Sequence, residues 1–101
     1  LDKILEEPKE YAYTKTVRVS DIDANIHMNN TRYADVIVDA FSFNYLKEHL
    51  VSHLQINFLN QSRAGDEISI YKMDKGNGKY FVNGTISNTP CFSSKICFTE
   101  L

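Results

Sequence analysis

One sustained helical stripe constrains this chain more than any other feature. Apolar side chains at Tyr33, Val36, Ile37, Ala40 and Phe41 recur at the spacing of a single helix face, while Arg32, Asp35 and Asp39 take the opposite one. Such a helix must lay its apolar face on something, and the rest of the chain offers mainly strands. Tyr13 to Ser20 reads as a first strand, rich in β-branched residues, with Tyr13, Val17 and Val19 assigned to one face. Phe43 to Leu50 predicts a second short helical segment, closed by Lys47 and His49 near its negative end. Beyond it, Leu54, Ile56 and Phe58 alternate, as do Ile68 and Ile70, then Tyr80, Val82 and Ile86, then Phe92, Ile96 and Phe98. Those are four more strands. Gly76-Asn77-Gly78 supplies a tight hairpin and Asn88-Thr89-Pro90 a second turn. The order strand, polar loop, helix, four strands predicts an α+β fold: an antiparallel sheet of about five strands wrapped around one long helix.

A length of 101 residues fits one core and not two. The charged, proline-containing start Glu6-Glu7-Pro8-Lys9-Glu10 reads as a linker remnant over residues 1–12, with a single domain over 13–101. Neither a secretion signal nor a transit peptide is recognisable there, and no stretch approaches the ~20 apolar residues of a membrane-spanning helix. The formal net charge of -2 leaves no surplus of positive charge for a phosphate backbone, which argues against nucleic acid as a partner. Cys91 and Cys97 fall in one expected strand, roughly 20 Å apart, too far to bridge. Free thiols suit a reducing, cytoplasmic compartment.

Polar chemistry is densest in Ser20-Asp21-Ile22-Asp23-Ala24-Asn25-Ile26-His27-Met28-Asn29-Asn30. Asp23, Asn25 and His27 stand at i, i+2 and i+4, which would turn them to one side if the segment were extended. They lie just before a helix start, where backbone N–H groups lack partners. A carboxylate can activate water, an amide can hold it, and an imidazole can move a proton or fix the carboxylate. Helix-start N–H groups can polarise a carbonyl oxygen. Together these are the parts of an ester or thioester hydrolase. Helix capping is the competing explanation for Asp and Asn at such a place, yet one or two caps suffice. His49 and His53 have the spacing of a metal pair but no third ligand nearby, and Gly76-Asn77-Gly78-Lys79 lacks the Ser or Thr of a phosphate-binding loop.

The string from Val17 to Tyr33, with its Asp23-x-Asn25-x-His27 core and Asn29-Asn30-Thr31-Arg32-Tyr33, resembles the signature of the hot-dog thioesterases. It is most similar to the C-terminal half of the acyl-acyl carrier protein thioesterases. Asp39-Ala40-Phe41, Leu46-Lys47-Glu48-His49 and Gly65-Asp66-Glu67 add support, so the likeness runs from about Tyr13 to Phe98. The resemblance implies a hot-dog fold and hydrolysis of the thioester between a fatty acyl chain and the 4'-phosphopantetheine arm of acyl carrier protein, without metal or organic cofactor. It implies Asp23, Asn25 and His27 as catalytic residues, with Asp23 orienting or activating water, Asn25 holding the reacting groups and His27 positioning and moving protons. Asn29 and Asn30 are the candidates for the oxyanion contact. Family members carry two hot-dog units in tandem, which implies pairing with a second unit or, for this chain alone, a homodimer.

The chain departs from the family at one candidate catalytic position. Where a glutamate commonly stands four residues before Gly65-Asp66, sometimes followed by cysteine, this sequence has Gln61 and Ser62. Glutamine cannot act as a base. Two alternatives therefore stay open beside the carrier-protein thioesterase: a stand-alone hydrolase of acyl-coenzyme A, and a non-catalytic acyl-binding or dimerisation module.

Overall fold

The computed structural model describes residues 8–101. Part of the expected linker over 1–12 lies outside the described residues. Strand β1 spans Glu10–Thr16, so residues 10–12 belong to the sheet and the strand begins earlier than Tyr13. Its end also differs from the expected Ser20. Val17 is buried, but Val19 is 82% exposed in a single 3-10 turn over Val19–Asp21. The turn forms because the Asp21 carboxylate accepts the Arg18 N–H at 2.8 Å, a local bond that competes with continued pairing.

Helix α1 runs over Asn30–Val38 and α2 over Phe43–Glu48. The expected long helix to Phe41 is therefore shorter. Ala40 and Phe41 donate backbone N–H groups three residues back, to Ile37 and Val38, in a tightened exit turn. Ser42 then accepts the Tyr45 N–H and starts α2. The apolar stripe nonetheless continues inward through the turn, for Ala40 and Phe41 are both buried. At the far end of α2 the His49 ring donates from Nδ1 to the Tyr45 carbonyl at 2.7 Å and stacks on the Tyr45 ring. The imidazole thus closes the helix at its negative end, and His49 itself opens the next strand.

Strands β2 (His49–Phe58), β3 (Glu67–Gly76), β4 (Lys79–Ile86) and β5 (Thr89–Glu100) complete one sheet in the order β1-β3-β4-β5-β2, every neighbouring pair antiparallel. Both hairpin loops are two residues long with positive φ throughout. Asn77-Gly78 joins β3 to β4, and Ser87-Asn88, one position earlier than the expected turn, joins β4 to β5. Cys91 and Cys97 both lie in β5 as free thiols.

Tyr33, Val36 and Ile37 from α1 share one buried cluster with Ile68 and Ile70 of β3, Val82 of β4, and Phe92, Ile96 and Phe98 of β5. The alternating residues of three central strands therefore point at the helix, as the period-two pattern requires. Gly84 lets this happen in the middle of β4: a Cβ there would collide with the Phe92 ring and the Ile68 methyl. The Tyr13 hydroxyl donates to the Val36 carbonyl at 2.6 Å and ties the edge strand to the helix. Burial, reinforced by the charge of Asp39, raises its pKa, so the hydroxyl stays a donor.

Candidate active site

Between the 3-10 turn and α1 the chain folds back on itself. Ile22 and Met28 form an isolated antiparallel bridge, Asp23 N–H donates to the His27 carbonyl at 3.1 Å, and Ile26 N–H donates to the Asp23 carbonyl at 3.0 Å. Ile26 sits at the tip with φ of 67°, a conformation few β-branched residues adopt. The Asp23 carboxylate accepts the Asn25 N–H at 2.9 Å, the local bond that makes aspartate a turn former. Asp23, Asn25 and His27 are thus arranged around a tight turn and not along an extended strand, and all three still line one cleft.

Two backbone bonds pin this turn to the body of the molecule. Met28 N–H donates to the Ser62 carbonyl at 2.7 Å, and Asn29 N–H donates to the Asp21 carbonyl at 2.8 Å. The Asp21 side chain is buried and meets Lys15 Nζ at 3.0 Å, Arg32 Nε at 3.8 Å and the Arg18 N–H. Burial alone would push its carboxyl up. The Arg18 N–H and the two cations outweigh that and hold it below the usual carboxylate range. Arg32, on the polar face of α1, therefore braces the start of that helix. Lys72 likewise donates to the Ala40 carbonyl at 3.1 Å and lies over the Phe41 ring.

Asn29 caps α1: its side-chain oxygen accepts the Thr31 N–H at 2.9 Å and the Thr31 hydroxyl at 2.8 Å, and its carbonyl accepts the Arg32 N–H. Of the two candidate oxyanion donors, Asn29 has committed its N–H to Asp21. Asn30 occupies the first helical turn, whose N–H groups lack carbonyl partners within the helix.

The opposite wall comes from the end of β2. Phe58, Leu59, Asn60 and Gln61 line the same cleft, whose volume is about 500 Å³. Leu59 and Asn60 hang from the Cys91 carbonyl by their N–H groups, and the Asn60 amide donates to the Pro90 carbonyl at 2.6 Å. Gln61, exposed at the strand's end, thus joins the Asp23–His27 turn. Met28, Tyr33, Phe58 and Leu59 give the cleft an apolar component. Periodicity places Tyr33 in the core and cannot tell that it also faces the cleft. Asn60 carries no sequence signal beyond its neighbour Gln61. Among the described residues no three His, Cys, Asp or Glu side chains converge as metal ligands.

Chemically, the cleft combines a carboxylate, an imidazole and several amides with a helix start and a few apolar side chains. A five-stranded antiparallel sheet packed on a helix, with that helix's N-terminus opening on such a cleft, defines a hot-dog thioesterase scaffold. The fold matches that of an acyl-ACP thioesterase from Bacteroides thetaiotaomicron (TM-score 0.84, 23% identity, 97% of this chain and 42% of that one). It also matches a 12:0-ACP thioesterase from Umbellularia californica (TM-score 0.85, 14% identity, 99% and 40%). A thioesterase complexed with coenzyme A and Zn from Thermus thermophilus is similar as well (TM-score 0.77, 16% identity, 90% and 78%). Residues 4–95 match the acyl-ACP thioesterase C-terminal domain family, and the chain belongs to it. It spans less than half the length of the first two structures. No curated protein matches it in sequence.

Proposed function

We propose that this domain carries the reacting groups of an acyl-ACP thioesterase and hydrolyses the thioester that joins a fatty acyl chain to the phosphopantetheine arm of acyl carrier protein. One observation carries the reading: Asp23, Asn25, His27 and Gln61 share a cleft with the N-terminus of α1. Asp23 takes a proton from a water as that water attacks the thioester carbonyl, and Asn25 and the Gln61 amide hold the water and substrate in line. Asn30 N–H stabilises the oxyanion of the tetrahedral intermediate. When the C–S bond breaks, the proton returns through His27 to the departing thiolate, leaving a fatty acid and a free thiol. Phe58 and Leu59 offer apolar surface to the first carbons of the acyl chain. The reading places the reaction in fatty acid biosynthesis, and the unpaired Cys91 and Cys97 suit a reducing cytoplasm.

A second hot-dog unit is the proposed partner, either from the same protein or from another copy. Strand β2 ends the sheet and leaves Leu50 56% and Val51 45% exposed, an edge that pairs with no other strand among the described residues and is of the kind that recruits one. The test is a steady-state panel on the full-length protein, with acyl carrier protein and coenzyme A thioesters of several chain lengths. Preference for carrier substrates is expected. Preference for coenzyme A would replace the substrate, and tight acyl binding without turnover would make the domain a non-catalytic module.

A further inference from the structure

The geometry points to Ser62 as a positioning residue: it joins the two segments that carry the polar groups of the cleft, and Tyr33 is the side chain through which helix α1 holds it. Ser62 is 0% exposed and directly follows Gln61. Its carbonyl accepts the N–H of Met28, the residue next to His27, at 2.7 Å. Its hydroxyl lies 2.9 Å from Tyr33 Oη and 3.0 Å from Cys91 Sγ, and the Cys91 thiol reaches the Asn60 carbonyl at 3.6 Å. The Tyr33 ring is itself wedged edge-on against Phe58 and Phe92, with centroids 5.3 and 5.5 Å away. The spacing between the Asp23–His27 turn and the Asn60–Gln61 wall is therefore set at one buried joint.

Burial decides what Ser62 does. A hydroxyl with no exposed surface cannot attack a substrate carbonyl, and its partners leave it committed to neighbouring groups. Apolar packing alone would let the two walls slide by fractions of an ångström, whereas directional bonds hold their separation. Misplacement of about 1 Å from a distant change can cost on the order of a hundredfold in rate, so a smaller loosening suffices to be measured.

The kinetic arm of the test rests on the proposed hydrolase reading, and the exchange arm does not. Tyr33→Phe keeps the ring contacts and removes only the hydroxyl; Ser62→Ala keeps the carbonyl. In the full-length protein, with dodecanoyl-acyl carrier protein as probe, each variant is expected to lower kcat about tenfold at unchanged KM, and the double variant to lose no more than the worse single one. Ser62→Cys, which retains a weak donor, should recover part of the loss. Amide exchange at Met28 should rise about tenfold in Tyr33→Phe and Ser62→Ala while Val36 and Ile37 in α1 keep their protection. Unchanged Met28 exchange, or kcat losses that simply add, would overturn the role of Ser62. If the wild-type protein hydrolyses no carrier or coenzyme A thioester, the hydrolase reading falls, and the Met28 exchange still decides the joint.

Discussion

The carbonyl of Asp21 accepts the N–H of Asn29 at 2.8 Å, and through that bond the residue that ends the 3-10 turn also holds the cap of helix α1. Everything between them, including Asp23, Asn25 and His27, is a closed loop with both ends fixed. The Asp21 carboxylate anchors the same point from the other side, with Lys15, Arg32 and the Arg18 N–H around it.

Replacing Asp21 by Asn keeps the shape and removes the charge. We expect a loss of about 2 kcal/mol in unfolding free energy near neutral pH, the scale of hydrogen bonds to a charged group. The wild-type carboxyl has a folded pKa below its unfolded value. Its contribution is therefore complete above the ordinary aspartate value of about 3.9 and is lost as pH falls through the lowered folded value. Urea titrations at several pH values should show the two proteins converging in stability on the acid side of that window. A gap that stays constant down to low pH would remove Asp21 as the anchor.

Asp23→Asn tests the proposed base without disturbing the turn. The amide oxygen can still accept the Asn25 N–H, which the carboxylate now accepts at 2.9 Å, but it cannot take a proton. Turnover should fall by roughly a hundredfold or more with an unchanged melting temperature. Full activity in this variant would exclude Asp23 from the chemistry.

Gln61 offers the reverse experiment. It lines the cleft and is exposed, so Gln61→Glu adds a second carboxylate at little structural cost. Turnover should rise, by about tenfold if the new carboxylate shares the work of activating water. Unchanged or lower turnover would count against a base at this position.

The free edge of β2 makes a prediction about assembly. Sedimentation of the isolated domain should reveal a dimer, since Leu50 and Val51 are exposed on the strand that ends the sheet among the described residues. Leu50→Lys with Val51→Lys should shift it to monomer while preserving the fold, charge on an edge being an effective block to pairing. A strictly monomeric wild-type domain would rule out pairing between copies through this edge.

Much of the fold was legible because it depends on neighbours in sequence. The stripe from Tyr33 to Phe41, the alternation in β3 to β5 and the positive-φ turn at Asn77-Gly78 are short-range patterns whose physics is local. So was the crowding of Asp23, Asn25 and His27 before a capped helix, although their exposure to one cleft arises from a reverse turn and not from extended spacing. Val19 marks the limit of such reading: it continues an alternating pattern, but the bond from Arg18 to the Asp21 carboxylate bends the chain out of the sheet before it.

What the sequence by itself determined is therefore the α+β order, the family and the polar loop. Only the tertiary structure decided how distant residues complete the cleft. Gln61, which the family resemblance had already marked, and Asn60, which it had not, arrive there because β2 pairs with β5 and ends beside the Cys91 carbonyl. Ser62 becomes a joint because Tyr33 and Cys91, far away in the chain, bury their polar atoms against it. A sequence pattern records which side chains can share a face, whereas the pairing of strands far apart in the chain sets which faces meet.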